Sequence, residues 1–246
     1  SAVYDKASIS LGQFHYDTKG FRQNNGQTHN VYNAFMQYAL TPKFNVQVEL
    51  RARGTEHGNL LFDFDKDSPD PRVARNQLNL NNQYRRDMDE DVARMGARYA
   101  ISPKQDLIAS AAFSDKKEGV REGEAINIGD GDIGNRVITF NSRERNRMHQ
   151  VESQYQYRDQ RFNLVAGGGF YQTDANVNTI IRQDVTDGSL EIFRFYDDNQ
   201  REKINGYLYT NYNLRSNLNI TVGSSYDSHQ NPVGSQARPI DYGRFN

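Results

Sequence analysis

The stretch "TPKFNVQVELRARG", Thr41 to Gly54, alternates strictly after its first three residues. Phe44, Val46, Val48, Leu50 and Ala52 fall on one side; Asn45, Gln47, Glu49, Arg51 and Arg53 fall on the other. In an extended chain successive side chains point to opposite faces, so this period of two predicts a strand with one apolar and one charged face.

The stretch has relatives further along. "VYNAFMQYAL" precedes it, separated by Thr41-Pro42-Lys43. The same plan recurs as "VARMGARYAI", Ser102-Pro103-Lys104, "LIASAAFS"; as "HQVESQYQYR", Asp159-Gln160-Arg161, "FNLVAGGGFY"; and as "INGYLYTNYNL", Arg215-Ser216-Asn217, "LNITVGSSYD". The turns recur at intervals of roughly 55–60 residues, a period that marks a repeated hairpin. Proline at the second turn position presets φ for a tight reversal. With "SISLGQFHY" as a further strand lacking an upstream partner, the pattern predicts nine strands. Each is about 8–11 residues long, close to the roughly 9–11 a tilted strand needs to cross a bilayer.

The other connections are long: 54–91, 115–146 and 173–203. They are polar and rich in Asp, Asn and Gly, yet "LLFDFD" (60–65), "RVITF" (136–140) and "SLEIFRFY" (189–196) are strand-like. Structureless loops of this length are unusual, so these segments are expected to prolong the strands as projecting ribbons. Short turns at one end and long connections at the other distinguish a transmembrane β-barrel from a sandwich, whose turns are of mixed length at both ends.

The two faces support this. One face is uncharged in each run, as in Tyr32, Ala34, Met36, Tyr38 and Leu40, or Ala93, Met95, Ala97, Tyr99 and Ile101. A charge at the bilayer midplane on that face would cost about 2–4 kcal/mol. Aromatic residues near strand ends (Tyr38, Phe44, Tyr99, Phe113, Tyr157, Phe162, Tyr226) fit interfacial belts. The opposite face carries Glu49, Arg51, Arg53, Arg94, Arg98 and Glu152, the candidate lining of a lumen. They are expected either to neutralise one another or to select an anionic or sugar-like solute.

Composition agrees. Only 36% of the 246 residues are apolar, and mean hydropathy is −0.89, poor for a thick core. A net charge of −1 gives no basic field for nucleic acid. The absence of cysteine excludes disulfides, thiolate metal sites and cysteine nucleophiles. No run of 18 apolar residues exists, so no transmembrane helix is expected.

The segments "TPKFNVQVELRARGTEHGNL", "RMGARYAISPKQDLIASAAFSD" and "RFNLVAGGGFYQTD" resemble bacterial outer-membrane barrels. The resemblance is to large ones in the TonB-dependent-receptor style and to the C-terminal barrel of tetratricopeptide-repeat outer-membrane proteins. It implies an all-β, antiparallel up-and-down barrel with short periplasmic turns and long extracellular loops, located in the outer membrane. It also implies solute uptake or polymer export. Plug domain, TonB-box-like start, helical repeats and a terminal aromatic strand are not seen in these 246 residues. Bacterial single-chain barrels have even strand numbers, so 1–246 is expected to be one barrel domain incomplete at both ends. The expected partners are the lipid bilayer, a small solute or polysaccharide, and a periplasmic protein.

Other motifs carry less. "GDGDIG" (129–134) matches a dinucleotide fingerprint but lacks the strand–turn–helix context that gives it meaning. Asp130 and Asp132 there, and "DFDKDSPD" (63–70), are calcium candidates without full EF-hand spacing. No G-x-S-x-G, H-E-x-x-H or histidine pair at i, i+4 occurs, so no enzyme and no cofactor is expected. "GGG" (167–169), in mid-strand, is expected to mark a bend or close packing. A barrel serving only as an anchor for adhesin-like surface loops, and a soluble β-sandwich binding module, are the alternatives.

Overall fold

The computed structural model describes residues 1–21, 24–60, 84–126, 136–185, 188–215 and 217–230. They form a single sheet of ten antiparallel strands in chain order. The strands are β1 (Ala2–Tyr4), β2 (Ala7–Thr18), β3 (Gln27–Thr41), β4 (Phe44–His57), β5 (Arg85–Ser102), β6 (Gln105–Ile126), β7 (Arg136–Arg158), β8 (Phe162–Val185), β9 (Gly188–Arg215) and β10 (Leu218–Gln230). Every neighbour pair is an up-and-down hairpin. β1, at one side, and β10, at the other, are the two edges of the sheet among the described residues.

The nine expected strands are all present, with two differences. "SISLGQFHY" does have an upstream partner, because Ala2, Val3 and Tyr4 pair with Ile9, Ser8 and Ala7 around the Asp5-Lys6 turn. Asp5 adopts a left-handed φ of 46°, which an aspartate tolerates in a tight reversal. The strands are also longer than their apolar cores, up to 28 residues in β9. Much of what reads as loop in 115–146 and 173–203 is paired strand, from Asp115↔Arg147 to Ile126↔Arg136 and from Thr173↔Arg201 to Val185↔Gly188. "RVITF" opens β7 and "SLEIFRFY" lies in β9, as projecting ribbons require. Positions 61–65 of "LLFDFD", "DFDKDSPD" and "GDGDIG" with Asp130 and Asp132 lie outside the described residues.

The two proline turns share one construction. The amide of Lys43 donates to Thr41 Oγ1 at 3.2 Å, and that of Lys104 donates to Ser102 Oγ at 3.3 Å. A hydroxyl accepting from the amide two residues on fixes the reversal beside the preset proline. The register slips at the same point of both hairpins, between Ala39 and Thr41 and between Ala100 and Ser102. Each turn then receives a backbone hydrogen bond from the next hairpin. Ala39 N donates to Lys6 O, Ala100 to Lys43 O, Arg158 to Lys104 O and Asn213 to Arg161 O, all at 2.8 Å. The repeat read in the sequence is therefore a repeated stitch along one end of the sheet.

The register keeps the two faces apart across all pairs. Met36, Val48, Met95, Ala111, Val151 and Phe170 form one continuous cross-strand row. All seven aromatics expected in belts share this face. Phe44 stacks edge-on against Tyr99 at 6.3 Å and Tyr157 meets Phe162 at 6.0 Å near the short-turn end. Phe113 meets His149 at 5.1 Å at the far rim. Beyond that rim the same face turns to charge, at Asp91, Asp115 and Arg147.

Candidate functional site: the charged face of the sheet

A strand paired on both sides fixes its side chains to one face, so the odd residues of β4 and the even residues of β5, β6 and β7 project together. That places Glu49, Arg51, Arg53, Arg94, Arg98 and Glu152 on the face opposite the apolar row. The structure brings them into three groups.

In the first, Glu49 pairs with Arg94 at 3.5 Å, and Asn33 donates to its other oxygen at 3.2 Å. Glu90 pairs with Arg53 at 2.9 Å and with Arg51 at 3.8 Å. In the second, Asp106 bridges two arginines, Arg98 at 2.9 Å and Arg158 at 2.8 Å. Its side chain is only 9% exposed while the arginines remain half exposed. A shielded carboxylate between two cations is held by charge-assisted hydrogen bonds, which are shorter and stronger than neutral ones. In the third, the Tyr207 hydroxyl donates to Glu152 Oε1 at 2.8 Å.

The third group explains "GGG". Gly167 and Gly169 face this side, opposite Tyr207 and Asn205, and Gly168 faces the other. A Cβ on Gly167 would lie 2.5 Å from the Tyr207 hydroxyl and 2.8 Å from the carbonyl oxygen of Ser153. The ring of Tyr207 therefore occupies the side-chain space of Gly167 on its way to Glu152, an aromatic covering a strand glycine. The close packing expected there is found.

Five arginines and four carboxylates meet on this face. Mutual neutralisation is the dominant pattern. It is not complete: Nε of Arg51, Nε of Arg53 and Oδ1 of Asn205 are buried without a hydrogen-bond partner among the described residues.

Glu90, Asp106, Arg158 and Tyr207 were absent from the sequence-based set. Glu90 has the same parity as Arg94 and Arg98, so a longer β5 would have revealed it. Asp106 is separated from the Ser102-Pro103-Lys104 turn by Gln105 alone and sits one residue ahead of the expected strand. Its partner Arg158 is 52 residues away and becomes a neighbour only once the register is known. Among the described residues no group of three or more metal-ligating side chains converges.

At the short-turn end, outside the apolar band, Lys104 Nζ lies 2.8 Å from Asp159 Oδ1. The hydrogen bond from Lys104 holds the Asp159 carboxyl below its ordinary range and in turn raises the lysine. On the ribbons, Arg86 and Lys116 both pair with Glu118. Burial pushes that carboxyl up, and the two cations together bring it below the usual value.

No protein-family model and no curated protein sequence matches this chain. Solved structures do. The chain aligns with the RagAB peptide importer in its open-open state at a TM-score of 0.63 and 10% identity, covering 91% of this chain and 30% of the other. The FpvAI–pyocin S2 complex gives 0.68 and 10%, covering 91% and 34%. The ferric-catecholate import receptor Fiu of E. coli K12 gives 0.65 and 11%, covering 100% and 45%. The chain thus spans between 30% and 45% of the length of these structures. At such identity the likeness is one of fold. The sheet is an antiparallel up-and-down wall of the kind that forms large bacterial outer-membrane barrels.

Proposed function

We propose that this chain is part of the wall of an outer-membrane barrel whose charged face lines a passage for solute uptake. One observation carries the membrane reading. Among the described residues Val92 is the sole buried hydrophobic side chain, while Met36, Leu50, Met95, Val151, Ile204 and Val222 are exposed, from 49% at Met36 to 62% at Met95 and Val222. A water-soluble domain hides such residues in a core; here they form a continuous outward surface, which a bilayer would cover. Backbone crossing lipid must pair all its polar groups, so the wall closes with further strands.

The opposite face would then meet water. Its arginine–carboxylate pairs suit a polar lining, and the half-exposed guanidinium groups of Arg94, Arg98 and Arg158 offer donors to a passing anionic or sugar-like solute. The projecting ribbons would serve recognition outside the cell, and the short turns would face the periplasm. The importers and receptors that share the fold support uptake as the general task. No covalent chemistry belongs to this reading.

The test is ion selectivity of the complete protein in planar bilayers. Arg51→Ala with Arg94→Ala should shift permeability from anions toward cations. Unchanged selectivity would remove the lining role, and a barrel that conducts nothing would favour the anchor alternative. A protein that stays monodisperse in water without detergent would overturn the membrane reading itself.

A further inference from the structure

The charged face changes character on the projecting ribbons. Above the apolar band the outward face is polar, with Asp174, Asn176 and Asn178 in succession along β8, so both faces of the ribbons stand in water. The face that carries Glu152 and Tyr207 nevertheless becomes apolar toward the ribbon ends. Glu122, Phe140, Ile181 and Phe193 form one cross-strand row over β6 to β9. The row beneath sets Phe195 beside Thr179 and Ser142, whose hydroxyls share a hydrogen bond of 2.9 Å. The third row holds Glu118, Glu144, Val177 and Asp197. Phe193 is 40% exposed, and Phe140, Ile181 and Phe195 are half-buried.

Lipid does not cover these rings, because they face away from the bilayer. Covering them would gain about 25 cal/mol for each Å² removed from water. Charge decides what suits them. Glu122 ends the top row, and Glu144 and Asp197 flank Val177 in the third. None of these three carboxylates forms an ion pair among the described residues; Glu144 and Asp197 accept from the amides of Asn146 and Asn199. The cations of this face nearby are engaged or distant. Arg86 and Lys116 both pair with Glu118, and Arg201 lies two rows below Asp197.

Aromatic rings bordered by free carboxylates complement a cation on an apolar body. Amidinium and guanidinium groups bind carboxylate through two parallel hydrogen bonds, and a cation over a ring face is attracted by the ring itself. Four strands make the patch about 15 Å across, the span of two aromatic rings joined by a short linker.

We propose that the inner surface of the β6–β9 ribbons is a binding site at the mouth of the passage for a small soluble molecule with cationic groups on an aromatic or aliphatic body. The inference rests on the membrane reading above, which sets the ribbons outside. It concerns a ligand opposite in charge to the solute that the arginine rows suit, so the site is a docking station above them.

The test is isothermal titration calorimetry of the complete protein, refolded in zwitterionic micelles, with pentamidine as an aromatic dication. Pentamidine should bind about tenfold more tightly than cadaverine, which has charges without rings, and than the dicarboxylate built on the pentamidine frame. Its binding should weaken as salt is added. Equal affinity for the three probes overturns the proposal, as does binding that salt leaves unchanged.

Asp197 and Asp198 are adjacent on β9 and face opposite ways, Asp198 lying beside Asn176 on the outer face. Asp197→Asn with Glu144→Gln should lower the affinity about tenfold, and Asp198→Asn should leave it unchanged. Phe193→Ser with Phe195→Ser should also lower it about tenfold, while Tyr196→Ser on the outer face should not. Losses of equal size from the two faces overturn the inference. The probe series on the wild type decides the matter where a variant does not fold. Failure of the protein to fold into phosphatidylcholine vesicles overturns the membrane reading and this inference together; a folded barrel that binds the three probes alike, or none of them, overturns this inference alone.

Discussion

The Tyr207 hydroxyl reaches Glu152 at 2.8 Å by crossing the space that a side chain at Gly167 would fill. Three strands meet in this contact, since Glu152 is on β7, Gly167 on β8 and Tyr207 on β9. Gly167→Val should displace the tyrosine and cost about 1–3 kcal/mol, as overpacking does. Tyr207→Phe keeps the ring and removes only the donor, leaving Glu152 short of its partner at about 1–3 kcal/mol. Urea titration of the refolded protein in lipid should show both losses, with the double variant below the sum because the two sites share one contact.

Asp106 is the shared anion of Arg98 and Arg158 on β5 and β7. Asp106→Asn leaves two cations facing each other across a neutral amide. Loss of hydrogen bonds to charged groups should lower stability by about 1.5–3 kcal/mol, and the freed arginines should raise anion permeability. Arg98→Gln added to Asp106→Asn should recover part of the stability. No recovery would mean that Asp106 acts through packing alone.

The pair Lys104–Asp159 ties two neighbouring short turns, with Lys104 exposed and Asp159 partly so. Asp159 is held below its ordinary value of 3.8, so its contribution is present above that pH and lost as pH falls through the lowered value. Lys104 is raised above 10.5, so its contribution is full below that pH and lost as pH climbs through the raised value. Asp159→Asn should therefore differ from the wild type between these limits, at low salt, and coincide with it in strong acid. Screening should erase the difference at about 1 M salt. A difference that persists in acid would show that Asp159 acts through its backbone geometry.

The faces of this sheet were legible in the sequence, and the heights of its strands were not. Alternation in "FNVQVELRAR" assigns each side chain to a face regardless of what pairs with it, and Glu49, Arg51, Arg53, Arg94, Arg98 and Glu152 lie on one face. Strand ends are different. "DDNQREK" (197–203) has poor β propensity residue by residue, yet it pairs with Tyr171 to Val177 because the hairpin continues its ladder. Propensity yields to pairing once a register is established. The same cause hid Glu90 and Asp106, which sit just beyond the expected strands. Arg158 and Tyr207 were within them, but their partners are set by register between strands, which alternation along one strand does not encode.

The sharpest check of the two-faced wall uses adjacent residues. Ala111 and Ala112 are neighbours on β6, both half-buried. Ala111 is paired with Met95 and Val151 in the apolar row, and Ala112 with Arg94 and Gln150 on the charged face. Size and propensity change identically when either becomes arginine, so any difference reports the surroundings. Ala111→Arg puts a guanidinium among lipid tails near mid-band and should cost about 2–4 kcal/mol. Ala112→Arg enters a hydrated row, with Glu152 two residues along on neighbouring β7 and Glu49 beyond Arg94 on β4, and should cost well under half as much. Folding into phosphatidylcholine vesicles, followed by heat-modifiable migration and urea titration, measures both. Equal penalties would mean that the two faces see the same medium, and neither the membrane wall nor its water-filled side would survive that result.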